Sequence, residues 1–441
     1  MAAIETVASS LNGNFKQVYG DKIKDLVPES DILYRNDRIK FVSKKGREGV
    51  QFNQPVLLSL PSSATWGLGG PTLNTPIAMQ MGNATVAGSA ITMRDVLSYD
   101  AAARAASSEA AFEGTVGLVL RTLFKAHGKF AEMDLLYGNG AIVSAGTAAT
   151  PCMFQSALST QAGGGGTAVT ATVTYGSWAP AMLSGFQNAG IDCYNAGGKV
   201  NSNASLYITS IGPTPASASV GGTIVMTGNA SDLNAVYALS GTTLDYYWHG
   251  AYAQNMVGIK GILANTGSLF GIDAGTYDLW LSNTFDCAST QLTFSKLQQA
   301  VALATSRGLD ESVLTLVNPV TFADLVNEQA GARRYDSSYS AKKNENGSEA
   351  LTYWGPSGKI EVVPHMFVHQ GEAFILPPAE AVKVGPLDHI SPTLPGIDGD
   401  IFFQSPTAAS YEVRLFSDFG LLINTPAKCT IVKSITNSVS A

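Results

Sequence analysis

The sequence predicts an α+β protein of at least two lobes, and three observations predict it. The stretch from about Met93 to Tyr137 reads as one long helix. Residues 42–92 ahead of it read as an extended two-stranded excursion with a Gly- and Pro-rich tip. Residues 293–330 behind it alternate helix and strand, the pattern of an α/β lobe, while most of the remainder is β-type text. The 441 residues also exceed the roughly 250–300 at which a single core stops growing.

The helix follows from its composition. Ala101, Ala102, Ala103, Ala105, Ala106, Ala110 and Ala111 carry the residue that loses least in a helix. Phe112, Val116, Val119, Leu120, Leu123, Phe130 and Met133 then recur mostly at three- and four-residue steps, forming one stripe. Glu113, Arg121, Lys125, Lys129 and Glu132 fall largely off that stripe. Gly114, Gly117 and Gly128 read as places where another backbone comes close, and Tyr137-Gly138-Asn139-Gly140 supplies a left-handed C-terminal cap. From Phe112 onward the helix spans nearly ~40 Å, too long for one small core, so other elements must lie along it.

In chain order, residues 1–35 read as an arm. Phe15, Val18, Tyr19, Ile23 and Leu26 form a short apolar stripe closed by Pro28, with no core of its own to bury it. Ile32 to Phe41 resembles a strand. Gly49–Leu60 and Ala84–Thr92 are the two strands of the excursion, and Pro61 to Gly82 is its tip, carrying Trp66. A hairpin this long is unstable alone and offers unpaired edges to another chain. The cluster Lys44-Lys45-Gly46-Arg47-Glu48 at its base reads either as a solvated turn or as inter-subunit ion pairs.

After the long helix, Ala141 to Thr172 reads as a connector, with Gly163-Gly164-Gly165-Gly166 a loop that lacks the ending of a phosphate-binding motif. Ser177–Ala189 reads as a helix and 200–248 as a compact β-rich insertion. Thr293–Ser306 is a helix with Thr293 as N-cap and Gly308 past its end. Ser312–Val317 is a strand, and Thr321 caps a second helix through Ala330. Gly331 to Glu349, with Arg333, Arg334, Lys342 and Lys343, reads as an exposed loop. Lys359–Val368, Ala373–Leu376, Ser410–Phe416 and Leu421–Val432 read as strands that return to the long helix.

Composition narrows the function. Charged residues make up 14%, against roughly 25% in a typical soluble domain, so much of the outside is expected to be buried against copies of the same chain. A net charge of −7 argues against a protein whose main task is gripping nucleic acid. Cys152, Cys193, Cys287 and Cys429 form no CxxC pair and read as buried thiols, Met1–Gly20 has no signal-peptide core, and no window approaches a membrane span. His365 and His369 lie four apart in strand-like text without further ligands, and His249 with Asp245 lacks a nucleophile elbow. No catalytic, cofactor or metal site is expected.

The order of these elements resembles that of the major capsid protein of tailed bacteriophages, the Hong Kong 97-type fold. Asp134-Leu135-Leu136-Tyr137-Gly138-Asn139-Gly140 resembles the exit of that family's spine helix, and Gly258-Ile259-Lys260-Gly261-Ile262-Leu263 the approach to its apical domain. Leu314 to Thr321, with Asn318-Pro319 at its centre, is similar to the apical strand and the helix after it. Val413-Arg414-Leu415 through Lys428 is similar to the final peripheral-domain strands. The resemblance implies an N-terminal arm at 1–41, an extended loop at 42–92 and the spine helix of the peripheral domain at 93–140. It implies an apical domain at 141–355, with the β-rich insertion near 200–248 as an extra feature, and strands returning to the peripheral and apical domains at 356–441.

What the resemblance implies for function is an icosahedral shell of hexamers and pentamers enclosing packaged double-stranded DNA without sequence-specific binding. The chain lacks a fused coiled-coil stretch, which implies a separate scaffolding protein as well as a portal. The implied location is the virion, with assembly in the host cytoplasm. Phe15, Lys44, Lys45, Arg47, Trp66, Arg333 and Arg334 are the candidate assembly-interface residues. The alternative is an encapsulin-type compartment of the same fold that encloses a protein cargo.

Overall fold

In a computed structural model of the chain the long helix runs Thr115–Tyr137, 23 residues, and other elements are laid along it. The structure describes residues 27, 32–34, 38–42, 51–67, 70, 72–104, 115–140, 151–162, 168–195, 198–203, 205–212, 220–332, 351–391, 402–404 and 409–438. The expected helix start at Met93 is corrected. Ser89–Ser98 is a strand, paired antiparallel over its whole length with Ser410–Ile423, and only Tyr99–Arg104 begins a helix. Alternation of Ile91, Met93 and Leu97 with exposed Thr92 and Arg94 suits a pleated surface packed on one face, and that pairing outweighs the helix propensity of the alanines beyond.

The helix is held in place mainly at its C-terminal end. Leu123 packs with Val413 and Leu415, while Ala131, Met133, Leu135 and Leu136 enter the main core. Lys129 and Glu132, expected off the packed stripe, are buried. Gly117 faces open space and so is not a close-approach position. The close approach comes at the far end of the helix. A Cβ on Gly138 would meet the Met256 carbonyl, and one on Gly258 the Asp134 carbonyl. Gly258 N–H donates to the Gly138 carbonyl at 2.9 Å, and Asn255 Oδ1 accepts from Asn139 and Gly140 N–H. Gly140 (φ 38°) takes the left-handed cap.

Three larger sheets surround this end. A five-stranded sheet joins Lys40–Val42, Ala381–Ser391, Ser410–Ile423, Phe402–Gln404 and Ser89–Ser98. The expected strand Ile32–Phe41 reduces to Lys40–Val42, since Ile32–Tyr34 is a turn. The two strands expected at 410–416 and 421–432 are one strand of 14 residues followed, after a short 3₁₀ turn, by Thr430–Ile435. A six-stranded sheet runs Asn283–Thr290, Thr430–Ile435, Ala373–Leu376, Val313–Val317, Gly358–Pro364, Leu351–Gly355, and the helices Phe294–Thr305 and Pro319–Ala332 pack on it. Its last two strands are the arms of one hairpin, with Gly355 paired to Gly358.

The third sheet corrects two expectations. Residues 154–162 and 169–174, taken with the connector, are strands, and 200–248 is no self-contained insertion. Asp245–Trp248 pairs with both Phe154–Ala162 and Gly190–Asn195, so six strands close into a ring through Val169–Thr174, Val220–Gly228 and Leu206–Gly212. The helix expected at Ser177–Ala189 is a single turn, Pro180–Leu183, ended by Gly185 (φ 88°). Thr293 caps its helix through Lys296 N–H as expected. At the next helix Asn318 Oδ1 accepts from Val320 N–H, so Asn318 is the cap and Thr321 lies inside, its hydroxyl on Asn437. His365 and His369 lie in the turn after Gly358–Pro364 and not in a strand.

Candidate assembly surface

The excursion ahead of the spine helix is a two-stranded hairpin, Phe52–Ser59 against Gln80–Val86, with Phe52 opposite Val86 and Pro55 opposite Asn83. A ribbon with two open edges tolerates Pro55, which has no N–H to give a third strand. The expected return strand at 84–92 begins at Gln80, and the chain leaves the hairpin at Ala87-Gly88 to enter the five-stranded sheet.

The paired strands rest on the body of the molecule along their length, with Ala84 and Val86 buried in the core and Phe52, Val56 and Leu58 packed against it. Thr85 N–H donates to the Phe270 carbonyl at 2.9 Å, Tyr277 Oη to Gln80 Oε1 at 2.7 Å, and Ile272 lies beside Gly82. The outer part is shaped by its own contacts. Asn74 bridges the tip, its side chain donating to the Ala64 carbonyl at 2.6 Å and its N–H to Thr65 Oγ1 at 2.9 Å. A tip ordered in advance loses less freedom on docking.

Its surface is apolar to a degree that a lone soluble subunit rarely shows. Trp66 is 85% exposed, Leu73 82% and Leu60 72%, joined by Leu57, Ile77, Met79 and Met81. Eighteen large apolar side chains are exposed among the described residues, and these seven lie within 57–81. The stretch is also uncharged, because residues 49–93 contain no Asp, Glu, Lys, Arg or His. That absence was the available sequence signal for Leu57, Leu60, Leu73, Ile77, Met79 and Met81. Of the seven residues expected at interfaces, Trp66 is placed on this hairpin. Phe15, Lys44, Lys45, Arg47, Arg333 and Arg334 lie outside the described residues.

Behind the hairpin, the spine helix ends in a buried polar cluster. Lys260 Nζ pairs with Glu372 Oε1 at 2.7 Å, Tyr137 stacks on His369 at 3.9 Å, and His369 N–H donates to Tyr137 Oη at 2.8 Å. His369 Nε2 lies 2.9 Å from the Met153 carbonyl. Desolvation raises the Glu372 carboxyl, but the Lys260 ammonium, with the His369 ring 3.7 Å away, outweighs it and brings it to about 2. Desolvation lowers the His369 imidazole despite its neighbour Glu372. The cluster ties helix, six-stranded sheet and ring together. His249 Nδ1 sits 3.1 Å from buried Asp192, whose carboxylate is also held by Lys199 and Gly250 N–H. Among the described residues no group of three or more His, Cys, Asp or Glu side chains could hold a metal, and no helix is long and apolar enough to cross a membrane.

No family profile matches the sequence, and no curated protein is detectably similar to it. The architecture, by contrast, is shared with a solved phage capsid. The chain overlays on the capsid asymmetric unit of cyanophage A-1(L) with a TM-score of 0.56 at 10% identity, over 98% of this chain and 100% of that one. Looser overlays are found with the capsid of a native GTA particle (TM-score 0.47, 8% identity, 98% and 100% covered). The holo-SrpI encapsulin of Synechococcus elongatus PCC 7942 overlays at a TM-score of 0.45 (9% identity, 100% and 98% covered). The fold is that of the tailed-phage major capsid proteins, the Hong Kong 97-like capsid fold.

Proposed function

We propose that this chain is the major capsid protein of a tailed bacteriophage, and that copies of it close into an icosahedral head around double-stranded DNA. The observation that carries the reading is the hairpin's tip, which is bridged by Asn74, uncharged and apolar, and whose Leu60, Trp66, Leu73, Ile77 and Met79 are exposed beyond the strands that pack on the body. Such a surface suits another copy of the chain. It does not suit DNA, which is bound through cations. The capsid fold supplies the rest of the reading.

Contacts within a ring of subunits are heterologous, so the hairpin of one copy meets a different surface on the next, and repetition around hexamers and pentamers closes the shell. Many modest contacts made together give avidity beyond any one of them. In this reading the five-stranded sheet with the spine helix is the peripheral domain, and the ring and six-stranded sheet are apical. A separate scaffolding protein, a portal, and assembly in the host cytoplasm before residence in the virion complete it. The role is structural and not enzymatic.

Expressing the chain with and without its genomic neighbours and imaging the product tests this. Closed icosahedral particles that package DNA are the expected result. Particles holding protein and no nucleic acid would favour the encapsulin-type alternative, and a monomer at high concentration would end the shell reading.

A further inference from the structure

Residues 27–42 belong to the stretch expected to leave the subunit as an arm, but the described ones are tied to the body by a set of charged side chains. The Glu132 carboxylate, wholly buried on the spine helix, accepts Leu33 N–H on Oε1 at 2.8 Å and Tyr34 N–H on Oε2 at 2.7 Å. His365 Nε2 lies 2.8 Å from the same Oε1. Buried Lys383 donates to the Tyr34 carbonyl at 2.8 Å from the five-stranded sheet. On either side, Lys125 Nζ donates to the Val27 carbonyl at 2.6 Å and Arg38 pairs with Glu361 at 2.6 Å. Lys40–Val42 then adds parallel to Ala381–Ser391, Lys40 opposite Val382.

Burying a carboxylate and an ammonium to hold a three-residue turn is a poor route to stability, since desolvation cancels most of the attraction. It is a good route to register. Two adjacent amides meet the two oxygens of one carboxylate, and a slip of one residue would bury an unpaired N–H and a charge together. Leu33 and Ile39, both fully buried, are lost from the core by the same slip.

We infer that Glu132 is a positioning residue that keeps this root, its described residues being 27, 32–34 and 38–42, on its own chain in the assembled shell, so that the root is not exchanged between copies. The inference deepens the capsid reading and rests on it for the word shell.

Lys40→Cys with Val382→Cys tests it, because opposed strand positions lie within disulfide reach and the four native cysteines are buried. Full-length protein, assembled and then oxidised, is run on a non-reducing denaturing gel. The expected product is a cross-linked monomer. A ladder of dimers and higher species would overturn the inference. Glu132→Gln, which puts an amide N–H against an N–H, is expected to slow cross-linking several-fold while lowering the melting temperature by only a few degrees. Unchanged cross-linking would remove Glu132 from the role. If that variant does not fold, Lys383→Met is judged by the same two readouts. Particle formation is read separately by negative-stain microscopy, so a chain that builds no shell counts against the capsid reading while the gel still decides between one chain and two.

Discussion

The hairpin and the C-terminal half of the spine helix reverse the usual placement of charge. The hairpin has no charged residue between Glu48 and Arg94, and its tip stands in solvent with Trp66 and Leu73 almost bare. The helix end, with Lys129, Glu132 and the Lys260–Glu372 pair around it, is buried. Water-facing residues are normally the charged ones because charges are costly to desolvate. The reversal is physically reasonable if each region is judged by its surroundings in an assembly. In the capsid reading the hairpin tip is an interface for another copy, while the helix end is a junction whose charges are already matched within the subunit.

Four changes would break or sharpen that contrast. Leu123→Asp places an unpaired carboxylate among Val413 and Leu415, at a cost of more than about 4 kcal/mol. It should abolish soluble subunit, as read by soluble expression. A soluble, assembly-competent variant would mean the helix does not pack by that face. Replacing residues 62–79 with a short Gly-Ser turn should act in the opposite way. Circular dichroism and the unfolding midpoint should stay close to those of the parent, while closed particles disappear from negative-stain fields.

The third change is in pH. The Glu372 carboxyl sits below its ordinary 4.5 in the folded chain, so its contribution is complete above about 4.5 and is lost as pH falls through that value toward about 2. Denaturant midpoints should therefore drop on acidification in the parent and drop less in Glu372→Gln, which starts lower at pH 7. Equal acid sensitivity in both would separate the Lys260–Glu372 pair from stability.

The smallest effect on the folded subunit is expected from Trp66→Ser, within about 0.5 kcal/mol because the ring touches little of its own chain. Its effect on assembly should be plain, and the fold-loss in particle yield should be the same at low and high salt. An uncharged surface has nothing to screen, whereas charge pairing weakens as the Debye length shrinks below about 8 Å. A loss that grows or vanishes with salt would show that hairpin docking is electrostatic.

Legibility in the sequence followed the range of the interactions. The helix capped by Thr293, the strand Val313–Val317 and Ala373–Leu376 were readable because caps and short apolar runs are local signals. The exit of the spine at Tyr137–Gly140 was readable for the same reason. Ser417 and Asp418 made Ser410–Ile423 look like two strands, though one long partner, Ser89–Ser98, holds its first ten residues as a unit. The ring of six strands was missed because Thr, Gly and Ala text with loops between reads as connector until long-range pairing is seen. For the interface, Trp66 was visible as an aromatic in a Gly/Pro tip, and the other hairpin side chains were visible only as a run without charge.

The amino-acid sequence alone determined that this chain has a long helix, an exposed excursion before it, an α/β lobe after it, and a charged fraction of only 14%. Those properties depend on composition and on spacing over a few residues. Tertiary structure decided where the helix begins, which strands close the ring, and that Glu132 and Lys383 turn inward to hold Leu33 and Tyr34. Burying a charge is favourable only where partners distant in the chain converge on it, and short-range spacing does not encode that convergence.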